Sequence, residues 1–280
     1  MKTSYQRNSI VIYLYLGLVS IVMFFPFYWM VVTALKTAQE AAVFPPTLFP
    51  KDLYFGNFIT VINNSSILLY LRNSLLTTVI EAILVLVTSV SAAFGLFLLK
   101  GSSKKVLFLL CLILHALPFE TIMVFIYRLI IQWSLNDTLI ALILPFISNF
   151  MYVLFIYNAF LDIPQRIVVS SRLDGASSLT FLVRIALPYA FPTIVFIAII
   201  NGIGCWNSFL WPMMITNSPS TRTLPFGLYA YVTEIGSKNE LVMAMSLLSQ
   251  LPMIVLFGFL RKYLVYGYRM RTNRHFGGKK

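Results

Sequence analysis

Few residues of this 280-residue chain are of types that do chemistry, and their spacing is unhelpful to an enzyme. The histidines are His115 and His275 and the cysteines are Cys111 and Cys205, with no pair at metal-ligand spacing. No H-E-x-x-H or G-x-S-x-G run supplies a base or a nucleophile. The chain therefore reads as a non-enzyme with no catalytic residues, no cofactor and no metal. It also lacks a G-x-x-x-x-G-K-[ST] loop, so it cannot itself cradle nucleotide phosphates; if ATP drives it, a separate subunit hydrolyses the nucleotide. The two thiols stand in apolar surroundings and read as packing residues rather than as a disulfide framework. What remains is a set of ionisable groups embedded in otherwise apolar runs: Glu81, His115, Glu120 and Arg128. Glu120 and Arg128 are eight residues apart, on one helix face but about 12 Å apart along the axis, too far to pair directly. They could line a polar pathway or relay a coupling ion. The plainer reading, and the favoured one, has Arg128 reaching the interface while Glu120 or Glu81 bonds a neighbouring helix. His115 reads as a hydrogen-bonded core residue.

The elements that hold these groups follow from composition. The chain is 59% hydrophobic and 11% charged, with a mean hydropathy of +0.84, whereas soluble domains carry about 25% charged residues. A membrane span needs roughly 20 apolar residues to cross about 30 Å of hydrocarbon, and six runs qualify. They cover residues 10–33, 71–99, 106–131, 138–161, 187–215 and 241–260. The first is too long and too aromatic for a cleavable signal, and no small-residue cleavage site follows it. Residues 1–9 precede it, 34–70 form a long proline-containing connection, 162–186 form a second long connection, and 264–280 form a basic tail.

Basic residues are retained on the cytoplasmic side of a membrane. With the N-terminus inside, the cytoplasmic pieces hold fifteen Lys and Arg and the outer pieces four. That places both termini inside and makes the net charge of +12 a topology signal facing anionic lipid rather than a nucleic-acid footprint.

The connection 162–186 has its own local logic. Asp162 can cap a helix whose first turn tolerates Pro164, Gly175 can stop it, and Ser177 or Ser178 can cap the next. Ile163, Ile167, Ser170 and Ser171 fall on one face, giving a short helix with an apolar stripe lying parallel to the membrane. The outcome is a helix, a tight break and a second helix on the cytoplasmic side, readable as an interfacial loop or as a docking knob for a soluble protein.

Ile163-Pro164, Asp174-Gly175-Ala176-Ser177, Phe181, Arg184-Ile185, Leu187-Pro188 and Pro192 resemble the cytoplasmic coupling loop of binding-protein-dependent ABC importer permeases. Phe25-Pro26-Phe27, Phe44-Pro45-Pro46, Arg72-Asn73-Ser74-Leu75 and Trp206-Asn207-Ser208-Phe209 extend the likeness to the six-span second permease of maltose and glycerol-3-phosphate importers. The resemblance implies an all-α polytopic protein with six transmembrane helices, the type I ABC importer transmembrane domain, in a bacterial cytoplasmic membrane. It also implies a second permease subunit, an ATPase dimer and an extracytoplasmic solute-binding protein as partners, and a carbohydrate as solute. Pro164, Val169, Ser170, Ser171, Asp174, Gly175 and Ala176 then carry ATPase coupling, and Trp206, Asn207 and Glu120 are candidates for solute or pathway contact. The chain departs from the family where Val169-Ser170-Ser171 replaces Glu-Ala-Ala, so an acidic contact to the ATPase cannot be made at position 169. Phe94 and Leu98 also replace a Tyr and an Arg near the end of the second span, and Ser208 replaces an acid.

The competing reading is an ion-coupled secondary transporter, which requires inverted repeats with broken helices around midplane acids. Glu81 and Glu120 are its only acids, and no repeat accompanies them.

Overall fold

The computed structural model describes residues 2–64, 66–236, 238–255 and 258. The described residues are helical, with no strand among them. In chain order the helices are α1 (Lys2–Ala34), α2 (Ala38–Ala41), α3 (Gly56–Asn64), α4 (Ile67–Leu98), α5 (Ser102–His115), α6 (Phe119–Gln132), α7 (Leu139–Ile143), α8 (Phe150–Leu161), α9 (Gln165–Leu173), α10 (Ser178–Phe181), α11 (Leu187–Trp206), α12 (Leu210–Ile215) and α13 (Leu224–Ile235). A last helix, α14, covers Asn239–Val255. The basic tail and the end of the sixth run lie outside the described residues.

Three helical stretches are long and apolar enough to cross a membrane: Ile12–Ala34, Ile67–Leu98 and Ser178–Trp206. Two more crossings result if α5 with α6, bent by 88°, and α7 with α8, bent by 51°, each count as one. With α14 as the described part of the sixth run, the set is compatible with six. Run length alone predicts straight spans at 106–131 and 138–161, and the breaks have local causes. Pro118 takes the cap position of α6 and has no N–H to continue α5. Asn149 interrupts the second pair and caps α8, its side chain accepting from the Met151 N–H at 3.0 Å.

The fifth run is also redrawn. Cutting at charge starts it at Leu187, beyond Arg184, but the helix starts at its cap, Ser177, and continues through a π turn at Leu182–Ala186 into α11. It stops at Trp206, and Asn207-Ser208-Phe209 separates it from α12.

The chain divides into two compact units. In the first, Met1–Leu68 with Gly227–Ile254, the connection after α1 folds onto the end of that helix. Lys36 is buried, donates to the Thr47 carbonyl and lies 5.1 Å from the Trp29 ring centroid. The Asn57 amide donates to the carbonyls of Ala34 and Lys36, both at 2.8 Å. The Thr47 hydroxyl and the Lys51 N–H converge on Glu40. The Asn57 bond satisfies the Ala34 carbonyl at the end of α1, one of the carbonyls that have no partner within a helix.

The second unit is built on Leu69–Phe226. Lipid tails are as apolar as leucine, so helices associate here through close packing rather than through water exclusion. Accordingly Ser89, Ala93, Ala186 and Ala190 are fully buried where α4 and α11 meet their neighbours. Towards the C-terminal end of α4, Phe94 and Phe97 meet Phe160 of α8 edge-on and stack on Phe181 of α10.

Candidate functional site

The knob at the α9–α10 junction is built from backbone requirements. Helix α8 ends at Asp162, whose N–H donates to the Asn158 carbonyl. Asp162 thus closes α8, and the cap position of α9 belongs to Pro164. Ile163, Ile167, Val168 and Ser171 turn inward, Ile163 and Ser171 being buried. At the other end the Gly175 N–H donates to the Arg172 carbonyl at 3.1 Å and the Ala176 N–H to the Ser171 carbonyl at 3.0 Å. This crossed pair is a Schellman closure, which needs a left-handed residue at its turn; Gly175 has φ of +74°. Ser177 then caps α10, its hydroxyl accepting from the Thr180 N–H at 3.1 Å.

The outward face is apolar where water would disfavour it. Leu173 is 83% exposed, Leu179 68% and Val169 53%, with Arg166 and Arg172 beside them and Ser170 also exposed. Behind the turn a cleft of 510 Å³ is lined by Ser171, Asp174, Ala176 and Arg184. All seven coupling-loop residues named from sequence therefore lie on this one hairpin of helices, Ser171 facing in and Val169 and Ser170 facing out.

A second feature lies inside the helix bundle. Glu81 is near the centre of α4, 6% exposed, and the Asn201 side chain of α11, 7% exposed, donates to its carboxyl at 3.3 Å. They line a cavity of 230 Å³ together with Asn149, Tyr152, Trp211 and Thr223. The favoured sequence reading, in which an apolar-run acid bonds a neighbouring helix, describes Glu81. Trp211 is fixed by its indole N–H donating to the Ala141 carbonyl at 3.0 Å and by edge contacts with Phe119 and Phe146.

The structure does not gather the other sequence candidates here. Trp206 is buried at the end of α11, Asn207 is exposed and bonds back to the Ile203 carbonyl at 2.8 Å, and Glu120 is exposed in the first turn of α6. None of the three lines the cavity. Arg128 is exposed on α6. His115, expected in a core, is exposed at the end of α5, its ring centroid 6.3 Å from that of Phe150. Asn201 was missed because it sits in a charge-free run and draws attention only once Glu81, 120 residues away, is seen beside it.

At the opposite end of α4 a third cluster orders the segment after α12. The Asn73 amide donates to the carbonyls of Ser220 and Arg222, and the Ser74 hydroxyl accepts from the Leu224 N–H at 2.7 Å. Asp137 accepts from the N–H groups of Asn217 and Ser218 and from the Thr221 hydroxyl.

Residues 85–269, which contain the knob and most of the cavity wall, match the family described as "Binding-protein-dependent transport system inner membrane component". The chain belongs to this family. It is thus a multi-pass membrane permease component. It is 30% identical to a putative ABC transporter permease protein, ORF2, of Caldicellulosiruptor sp. strain Rt8B.4, covering 91% of this chain and 93% of the relative. It is also 30% identical to the arabinooligosaccharides transport system permease protein AraQ of Halalkalibacterium halodurans, over 78% of each chain. Among solved structures it superposes on a chain of a bacterial ABC transporter involved in the import of the acidic polysaccharide alginate. The TM-score is 0.83 with 19% identity, covering 93% of this chain and 97% of the other, which establishes the type I importer fold.

Proposed function

We propose that this permease forms half of the translocation pathway of an ATP-driven importer for an oligosaccharide or sugar derivative. A second permease, an ATPase dimer and an extracytoplasmic solute-binding protein would complete the assembly. The observation that carries the reading is the knob: a Schellman-closed helix break presenting Val169, Leu173 and Leu179 to solvent inside a family of binding-protein-dependent transporters. An apolar face on a basic connection of a membrane protein fits a soluble partner, and in this reading the partner is the ATPase. The saccharide class rests on the name of the arabinooligosaccharide relative. Both termini and the 162–186 connection lie in the cytoplasm in this reading, by the distribution of basic residues. Closure of the ATPase dimer on nucleotide would displace the knob, and the helix from Ser178 to Trp206 would carry that movement to the cavity as a rigid-body change.

Purification of the native complex tests the proposal. An ATPase should accompany the permease at fixed stoichiometry and be stimulated by a saccharide when the binding protein is present. The permease freed of every other polypeptide should hydrolyse no ATP. Saturable hydrolysis by the lone chain, or a preparation active in transport with no ATPase, would overturn the reading.

A further inference from the structure

Glu81 stands 14 residues from the start of α4 and 17 from its end, or about 21 and 26 Å along the helix. The carboxyl is thus at mid-span, where a charge is costly and is kept only when something uses or satisfies it. Asn201 supplies one donor, but among the described residues no Lys, Arg or His lines the cavity. The remaining wall is hydrogen-bonding and aromatic. Tyr152, Asn149, Trp211 and Phe146 contribute to it, as does Thr223, whose buried hydroxyl has no hydrogen-bond partner.

A carboxyl, a carboxamide, hydroxyls and aromatic faces together form the chemistry that recognises a polyol. Each sugar hydroxyl can donate to Glu81 and accept from an amide, while its C–H face lies against a ring. At 230 Å³ the cavity is smaller than the roughly 300–1,000 Å³ of pockets that engulf a drug-sized ligand, so it suits one residue of a chain at a time. A uronate in the same place would bring its carboxylate beside the Glu81 carboxyl with no Lys, Arg or His among the described wall residues, and two carboxyls sharing one place cannot both stay ionised, a cost that uncharged sugars do not incur. We propose that the Glu81–Asn201 cavity is a one-residue saccharide subsite that accepts uncharged sugars and rejects acidic ones. The inference rests on the saccharide reading of the transporter and adds to it a charge filter inside the membrane.

Equilibrium binding to the purified complex, with the binding protein omitted so that its own selectivity plays no part, tests the filter. The probes are radiolabelled arabinotriose, raffinose and cellotriose against trigalacturonate. At least one neutral trisaccharide should bind saturably and at least tenfold more tightly than trigalacturonate. In Glu81→Gln, which keeps an oxygen for Asn201, the ratio should fall to within about threefold, and Asn201→Ala should weaken neutral binding about tenfold. No saturable neutral binding, a wild-type ratio near one, or a ratio that Glu81→Gln leaves unchanged would overturn the subsite. Should the Glu81→Gln complex fail to assemble, the wild-type ratio and Asn201→Ala still decide. ATPase stimulation by the same neutral sugars with binding protein present separates the two layers. Stimulation without binding here sinks only the subsite, whereas absence of both sinks the saccharide reading.

Discussion

Gly175 has φ of +74°, and a Cβ placed on it would meet nothing within 4 Å. Space therefore does not select glycine; the backbone does, because a β-branched residue in the left-handed region costs about 1–3 kcal/mol while Asn tolerates it. Gly175→Val should reach the membrane at normal levels yet lose saccharide-stimulated ATPase activity and transport, and Gly175→Asn should retain most of both. Wild-type coupling in the valine variant at equal membrane levels would remove the knob from the mechanism. Asp137 offers a pH test on the other face. Burial alone would raise its pKa, but hydrogen bonds from the Thr221 hydroxyl and from Asn217 and Ser218 outweigh that and hold it at about 2, against an ordinary 3.8. A depressed carboxyl stabilises the folded segment fully above the ordinary value and ceases to as pH falls through the folded one. Hydrogen exchange at Asn217 and Ser218, corrected for intrinsic rate, should be unchanged from pH 7 to 5 and accelerate between pH 4 and 2. Asp137→Ala should show the fast rate already at pH 5. Residues such as Gly175 and Ser177 are legible in the sequence because their partners lie within four positions, whereas the Glu81–Asn201 pair exists only after two distant helices pack.

Helices behave differently from residues in this respect. Hydropathy marks where apolar chain begins and ends, and it marks the runs here, but a window average is blind to the 88° and 51° bends. Their signals are single residues, Pro118 and Asn149, whose effects are on hydrogen bonding rather than hydropathy. The knob depends on elements too, since Phe181 of α10 packs into an aromatic cluster with α4 and α8. The rings of Phe97 and Phe181 stack at 6.0 Å with an interplanar angle of 5°, and Phe94 adds a second stacked contact at 6.4 Å. Phe181→Ala should cost about 3 kcal/mol, the low end for a buried aromatic truncation, and loosen the link between knob and spans. A thermal unfolding midpoint lowered in the detergent-solubilised complex, together with ATPase turnover that no longer responds to saccharide, is the expected pair of results. Phe181→Leu should recover the response. An unaltered saccharide response in Phe181→Ala would mean that movement passes from the knob to the spans by another route.

At the scale of the second unit, helix α4 serves as a ruler. Asn73, near its start, ties down Ser220 and Arg222, and Phe94, near its end, packs on Phe160 and Phe181 beside the knob. The 21 residue steps between them rise about 32 Å, matching the roughly 30 Å hydrocarbon layer. In the proposed topology the 217–223 segment and the α9–α10 knob therefore lie on opposite sides of the membrane. Geometry leaves the choice of side to charge. Helix packing is symmetric with respect to which end faces the cytoplasm, and only the fifteen-to-four division of basic residues breaks that symmetry, so the proposed orientation rests on sequence, whereas the cavity exists only in the packed structure. Substituting cysteine at two exposed positions tests both statements together. In intact cells carrying Cys111→Ser, Ser220→Cys should react with an impermeant maleimide, and Leu173→Cys should react only after the membrane is opened. Labelling of both from outside would contradict the span length of α4, and labelling of Leu173→Cys alone would reverse the orientation and place the knob out of reach of any cytoplasmic ATPase.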